Sequence, residues 1–185
     1  MSTIKVNNIE NRTGSSITIG GSSTTSLNLA STITGGTLTN TPAFFADKTS
    51  NQSVSDGVFE KITFQNTVFD TDSAFTTDNR FTVPSGKAGK YYFQSSIRAT
   101  ADSGTMEYGI IRFYKNGSGV YTPCQIQTAA NQMGNSHLFG GAIFDLSAGD
   151  YIETYVALGG NNTSVGGSTT TTSASFFGGY RLIGV

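Results

Sequence analysis

The sequence predicts an all-β protein, in which a sandwich of short strands follows an extended N-terminal arm. All 13 Phe and 8 Tyr residues lie beyond position 43, whereas the first 40 residues are rich in Ser, Thr, Gly and Asn. After residue 41, short runs with alternating apolar residues are bounded by Gly, Pro and Asn, which is the pattern of strands and turns. No window has the apolar stripe and end signals of a helix. We therefore divide the chain into an arm, residues 1–40, and a head, residues 41–185.

The arm consists of short pieces in which aliphatic residues recur at spacing two, separated by turn signals such as Gly20-Gly21 and Gly35-Gly36. Its few aliphatic side chains cannot offset the entropy lost when forty residues become ordered. We therefore expect the arm to be ordered only where another chain covers it. A disordered tail is the alternative that its polar, low-complexity composition leaves open. The side chains predicted to dock are Ile4, Val6, Ile9, Ile17, Ile19, Leu27 and Leu29.

The head contains a quick succession of strand candidates. They are predicted at 43–46, 58–64, 80–83, 91–98, 108–115, from 120 onward, 138–146, 151–158 and 175–183. Asn116-Gly117 predicts a tight hairpin and Ser147-Ala148-Gly149-Asp150 a second turn. Eight or more short strands at this spacing indicate a sandwich or jelly roll. The stretch 159–173 lacks charged and aromatic residues, and we predict an exposed loop or a contact between like subunits there.

Composition excludes several kinds of partner. Charged residues make up 12% of the chain, the net charge is −1, and no two basic residues are adjacent. We therefore expect binding neither to nucleic acid nor to a membrane surface. No apolar run approaches the roughly 20 residues of a membrane span, and we expect no secretory signal. Cys124 is the only cysteine, which excludes an internal disulfide, and we interpret it as a small buried apolar residue.

Few residues could carry chemistry. His137 is the only histidine, and neither a zinc ligand set nor a G-x-S-x-G elbow accompanies it, so we interpret it as a polar residue at a strand edge. Residues 70–73, Asp-Thr-Asp-Ser, could offer oxygen ligands to calcium, but the remainder of a calcium loop is missing and a polar turn is the prediction. Asp145, Asp150 and Glu153 are interpreted as turn-capping residues. We predict no catalytic, cofactor or metal site and no enzymatic activity.

Four stretches of the head resemble the C1q/TNF-like trimeric jelly roll, across residues 42–185. They are 58–64 leading into 68–70, 78–93 with F-T-V-P-S-G and G-K-Y-Y-F, 144–152 with F-D-L-S-A-G-D-Y-I, and 175–182 with S-F-F-G-G-Y-R-L. The resemblance implies a jelly-roll sandwich that forms a homotrimer. The arm, with S-T-I-K-V-N-N-I followed by T-G and I-T-I-G, resembles the N-terminal arms of marine bacteriophage structural proteins. In those proteins such an arm precedes a C1q-like head.

Together the two resemblances imply a phage virion protein anchored by its N-terminus. We expect a homotrimeric capsid decoration (cement) protein or short head fibre, which binds the major capsid protein or another virion protein through the arm. We expect it on the capsid surface rather than on the tail. Seven aromatic residues are expected to be divided between the core and the trimer axis: Tyr91, Phe93, Phe113, Tyr151, Tyr155, Phe177 and Tyr180. The alternative is a tail-fibre or receptor-binding tip that recognises a host glycan or protein through loops at 47–57, 127–135 and 159–173.

Overall fold

The computed structural model describes residues 40–102, 105–129, 133–168 and 175–183, which form strands and turns without a helix. This confirms the all-β prediction. The strands are β1 (Ala43–Asp47), β2 (Gln52–Ser53), β3 (Glu60–Lys61), β4 (Asn66–Asp70), β5 (Phe75–Thr76), β6 (Arg80–Thr82), β7 (Gly89–Thr100), β8 (Tyr108–Lys115), β9 (Ser118–Gln127), β10 (Asn135–Leu146), β11 (Tyr151–Gly159), β12 (Ser164–Val165) and β13 (Phe176–Arg181).

These strands build two antiparallel sheets. The first sheet has the order β2-β12-β7-β13-β1-β4. Strand β10 also belongs to this sheet and pairs with β7 along its whole length. The second has the order β5-β6-β11-β8-β9, with β3 also beside β11. Strand β1 pairs with β13 on one side and with β4 on the other. The first strand of the head is therefore held in place by the last one.

The core between the sheets is dominated by aromatic rings, because alternate residues of each strand point inward. Phe177 lies near its centre, with ring centroids 4.9 Å from Phe44, 5.9 Å from Phe93 and 6.1 Å from Phe113. All four side chains are buried. Gly179, two residues further along β13, is required by close packing: a Cβ there would lie 2.5 Å from Cδ1 of Phe93.

Both predicted turns form, and side chains fasten them to each other. Asn116 and Gly117 have φ values of 52° and 79°, the left-handed pair that a tight hairpin needs. The Asp150 carboxylate accepts hydrogen bonds from the Ser147 backbone N–H (2.9 Å) and from Nδ2 of Asn116 (2.7 Å). It also forms an ion pair of 2.8 Å with Lys115. These contacts bring the β8–β9 and β10–β11 turns together at one end of the sandwich.

The strand predictions were wrong in two respects. The run 58–64 is largely irregular, since only Glu60–Lys61 pairs with β11. The stretch 159–173 is not an exposed loop in its described part, because Ser164–Val165 forms a strand between β2 and β7 and both Thr163 and Val165 are buried. Four short strands were missed, since two to five residues give too brief an alternation: β2, β4, β5 and β12.

The predicted arm lies outside the described residues, which begin at 40. The division into an arm of residues 1–40 and a head of residues 41–185 therefore stays a prediction. The same is true of the seven aliphatic side chains assigned to docking.

Replacing Phe177 with Ala should lower the free energy of unfolding by about 3–5 kcal/mol, because the cavity would remove contacts with several rings at once. Phe177→Leu, which keeps much of the volume, should cost less than about 1.5 kcal/mol. Chemical denaturation of both variants followed by tyrosine fluorescence measures the difference. Equal losses for Ala and Leu would contradict the central packing role.

The stability should depend on Asp150 in acid. Its hydrogen bonds with Lys115, Asn116 and the Ser147 N–H hold the carboxyl pKa at about 2, below its ordinary 3.8. Because the folded-state pKa is lowered, this stabilisation is present above pH 3.8 and is lost as the pH falls through about 2. Asp150→Asn should cost about 1 kcal/mol at neutral pH and should flatten the decline in melting temperature over that window.

Asp145→Asn is the matched control, because the Asp145 side chain is exposed on the same hairpin. If the two variants gave the same pH profile, the lowered pKa of Asp150 would not contribute to stability.

Candidate functional site

The first sheet has a second apolar surface, on the side that faces away from the core. The strand register places its side chains together, since residues paired across antiparallel strands point to the same face. Phe69 of β4 pairs with Phe45 of β1, Tyr180 of β13 pairs with Tyr92 of β7, and Tyr92 pairs in turn with Ile143 of β10. We call this surface the apolar face. It consists of Phe45, Phe69, Tyr92, Phe139, Ile143, Phe176 and Tyr180.

Ring contacts run across the strands of the apolar face. The ring of Phe45 lies 4.9 Å from Phe176 and 6.4 Å from Phe69, centroid to centroid. Phe176 in turn lies 6.4 Å from Phe139. These contacts join four rings of the face, and Tyr92 and Tyr180 form a second ring pair with centroids 5.7 Å apart.

Much of this patch is open to water. Phe69 is 49% exposed, Phe139 56% and Ile143 61%. At about 200 Å² for each large side chain, these three alone leave roughly 300 Å² of apolar surface exposed. That approaches the size of the largest apolar patches on ordinary monomers, which commonly mark interaction sites. The apolar face is the strongest candidate for a protein interface on the described part of the chain.

The seven aromatic residues singled out from the sequence lie in three places. Four are fully buried between the sheets: Tyr91, Phe93, Phe113 and Phe177. Tyr151 and Tyr155 lie on β11 with their neighbours Ile152 and Thr154 turned into the core, so they belong to the outer side of the second sheet. Only Tyr180 belongs to the apolar face. The sequence did not distinguish these three groups.

The other residues of the apolar face were missed, although the sequence carries a signal for them. Three aromatic doublets occur in strands of the first sheet: Phe44-Phe45, Tyr91-Tyr92 and Phe176-Phe177. Adjacent residues of a strand point to opposite sides, so each doublet must place one ring in the core and one on the outside. Phe44, Tyr91 and Phe177 are buried, and their partners lie on the apolar face.

The outer side of the second sheet covers its own aromatic rings. Tyr114 stacks on Tyr155 at 3.8 Å, and the Arg112 guanidinium lies 4.0 Å above the Phe59 ring. Burial, and next the neighbouring Glu153 charge, raises the pKa of Tyr155. These contacts cover part of the aromatic surface on this side of the sandwich.

The residues considered for chemistry have structural partners. The Asp70 carboxylate accepts hydrogen bonds from the backbone N–H of Ala74 (3.0 Å) and Phe75 (2.8 Å), which makes residues 70–75 a turn. Glu153 forms a 2.9 Å ion pair with Lys61. His137 is exposed on β10, opposite Arg98. Within the described residues, no group of three or more His, Cys, Asp or Glu side chains could hold a metal ion.

Cys124 is partly buried beside the core, where it packs as the predicted small apolar residue.

Lys48 is a buried cation with no distinguishing pattern around it in the sequence. Its ammonium group donates to the Thr63 carbonyl (2.8 Å) and to Oε1 of Gln52 (3.0 Å). Burial lowers its pKa to about 8. The contacts join the end of β1, the start of β2 and the segment after β3, so the role of Lys48 is to fix these connections.

A polar cleft of about 440 Å³ lies between the segments 53–56 and 160–163. It is lined by Ser53, Val54, Ser55, Asp56, Gly160, Asn161, Asn162 and Thr163. Two of the three loops predicted as an alternative binding surface, 47–57 and 159–173, therefore meet here. The third, 127–135, is described only in part.

The cleft and the start of the described chain lie at opposite ends of the first sheet. Ala43 pairs with Tyr180, which pairs with Tyr92 of β7. Thr100, eight residues further along β7, pairs with Ser164 beside the cleft. At about 3.3 Å per residue, the two ends are separated by roughly 26 Å.

Comparison with known proteins supports this architecture. No protein-family model matches the chain, and no match was found among curated proteins. The described fold is similar to the globular domain of zebrafish complement 1qA protein, with a TM-score of 0.53 and 16% identity over 76% of this chain and 97% of that one. It is also similar to murine APRIL at pH 8.5, with a TM-score of 0.52 and 16% identity over 76% and 98%.

A third similar structure is Eiger TNF from S. frugiperda, with a TM-score of 0.50 and 14% identity over 76% of this chain and 91% of that one. At these identities the likeness concerns the fold.

The described residues contain no helix with the length and hydropathy of a transmembrane segment. The head is an all-β, C1q/TNF-like jelly-roll sandwich, as the sequence predicted.

Proposed function

We propose that this protein is a homotrimeric structural component of a bacteriophage virion, either a capsid decoration (cement) protein or a short head fibre that stabilises the capsid. The observation that carries the proposal is the apolar face, which no other part of the described chain covers. A surface of this kind needs a partner. The resemblance of the head to trimeric jelly rolls favours further copies of this chain as that partner, and the resemblance of the arm to phage structural proteins favours the virion.

The apolar face suits association of like subunits. On the same sheet side, Lys90 lies opposite Asp145 at one end and Arg98 opposite His137 near the other, while Asp47 lies beside Phe176 at the β1 edge of the face. Depletion of charge at the centre and aromatic enrichment are typical of interface cores. Closed rings of identical subunits bury such faces without leaving an open end.

The arm supplies attachment in this proposal. Its alternating aliphatic residues, such as Ile4 and Val6 or Ile17 and Ile19, suit strand addition, in which backbone hydrogen bonds give affinity and alternate side chains fix the register. The partner is the major capsid protein or another virion protein. Three arms on one trimer would turn weak individual contacts into firm attachment by raising the effective concentration.

We assign the protein no catalytic activity. The carboxylates and the histidine considered for chemistry are used in turns and ion pairs or are exposed on a strand, as described above. The low charge, −1 overall, favours neither nucleic acid nor a membrane surface as a partner.

A receptor-binding tip is the second candidate function. It is favoured by the position of the polar cleft at the far end of the sheet from residue 43, where an anchored head would present it outward. Exposed polar loops on a rigid scaffold are a common setting for recognition. Electron microscopy of intact particles separates the two functions, because positions on the head lattice favour decoration and positions on the tail favour adhesion.

Charge placed in the apolar face should abolish trimer formation. Ile143→Glu would bury an unpaired carboxylate in the proposed interface, which costs several kcal/mol. We expect the purified protein to be trimeric and the variant to be monomeric at micromolar concentration by light scattering after gel filtration. Val58→Glu is the matched control, because Val58 is 50% exposed and outside the apolar face. A monomeric parent protein, or a variant that stays trimeric, would refute the role of this face.

Removal of residues 1–40 should leave a soluble trimeric head that no longer binds virus particles. In the full chain, Ile17→Ser combined with Ile19→Ser should reduce binding in the same direction, whereas Thr18→Ala, on the opposite side of the same short piece, should not. Co-sedimentation with particles lacking the native protein measures the bound fraction. Retained binding of the truncated head would exclude the arm as the anchor.

A further inference from the structure

The two walls of the polar cleft are fastened to each other. The Val54 N–H donates to the Thr163 carbonyl (3.0 Å), and the Thr163 hydroxyl donates back to the Val54 carbonyl (2.7 Å). The Gly160 N–H donates to Oδ1 of Asp56 (3.0 Å). Three hydrogen bonds thus hold residues more than 100 positions apart in sequence. A ligand would meet a largely preformed cleft, which reduces the entropy lost on binding.

Neighbouring residues support the same walls. Nδ2 of Asn162 donates a hydrogen bond to Oδ2 of Asp102 (2.5 Å). The backbone N–H of Asn161 donates a hydrogen bond to the hydroxyl of Thr105 (3.3 Å). The ring of Tyr108 lies against Gly159, where a Cβ would be 2.3 Å from Cε1. The segment 159–163 is therefore held from both sides.

Several polar groups of the cleft are left for a ligand. The hydroxyl of Ser53 and the carboxamide of Asn161 form no hydrogen bond with the described part of the chain, whereas the Ser55 side chain is hydrogen-bonded to the Glu60 carboxylate. The Asp56 carboxylate uses only Oδ1 within the same part. The lining thus offers donors and acceptors in mixed order, which suits a ligand that carries both.

The chemistry of the lining excludes other ligand classes. No Lys or Arg lines the cleft, and the Asp56 charge would repel a phosphate or a carboxylate. No cluster of ligating side chains for a metal ion occurs among the described residues. The lining has one apolar side chain, Val54, which is buried, so a hydrocarbon ligand would find no apolar wall.

We propose that the cleft between residues 53–56 and 160–163 binds a neutral saccharide. A sugar presents closely spaced hydroxyls that both donate and accept, which matches hydroxyl, carboxamide and carboxylate groups. The volume of about 440 Å³ lies within the range of small-molecule sites and accommodates one or two sugar rings. The inference goes beyond the proposed function, because it holds for the isolated protein whether the virion carries it on the head or on the tail.

Saturation-transfer NMR on the full-length protein tests the proposal. The probes are glucose, galactose, mannose, N-acetylglucosamine, lactose and maltose, with N-acetylneuraminic acid as an anionic comparison. We expect transfer to at least one neutral sugar, with a Kd of about 1 mM for a single open site. Absence of transfer to every neutral sugar, or transfer to the anionic sugar alone, overturns the proposal.

Paired substitutions locate the binding. Ser53→Ala with Asn161→Ala should weaken binding by about tenfold, the effect of losing hydrogen bonds worth about 1.4 kcal/mol. Ser85→Ala with Asn66→Ala, at exposed positions outside the cleft, should leave it unchanged. Unfolding temperatures confirm that both pairs fold. Equal effects of the two pairs would place the sugar elsewhere and refute the site, while light scattering on the same samples reports trimer formation independently.

Discussion

A β-sheet that carries aromatic rings on both faces must bury both faces away from water. The architecture of this head follows from that constraint. The second sheet covers one side of the first, so that Phe44, Phe93 and Phe177 form a dry core. The other side has no cover within the described chain, and Phe69, Phe139 and Ile143 remain about half exposed. Exposed apolar area of this size opposes solubility unless it is buried by association. The fold therefore presents a surface suited to association as a direct result of its strand composition.

The sequence was sufficient for the fold class, the long strands and both turns, because each depends on local alternation or on local turn chemistry. Asn116-Gly117 and the segment ending at Asp150 show this. The division of aromatic residues between the two sides was not predicted, although doublets such as Phe176-Phe177 imply it. The polar cleft could not be predicted, since it depends on Val54 meeting Thr163, a pairing that only the tertiary fold creates.

The proposals give the two candidate surfaces different tasks. The apolar face lies on the broad side of the first sheet and suits permanent association, whereas the cleft lies at the end of the sheet and suits reversible binding. One weak cleft on each of three subunits would give useful avidity only if the subunits stay together. In this proposal, avid ligand binding by the clefts depends on trimer formation through the apolar face, although the two surfaces do not touch.

The position of β1 also has a consequence for biosynthesis. Because Ala43–Asp47 lies between β4 and Phe176–Arg181, the first sheet cannot close until residues 176–181 have left the ribosome. Until then Phe44 and Phe45 of the nascent chain lack β13, the strand with which they pair in the folded protein. Such long-range pairing slows folding and prolongs the exposure of apolar strands. We therefore expect a productive yield in cells to depend on chaperone protection of β1 until residues 176–181 are available for pairing.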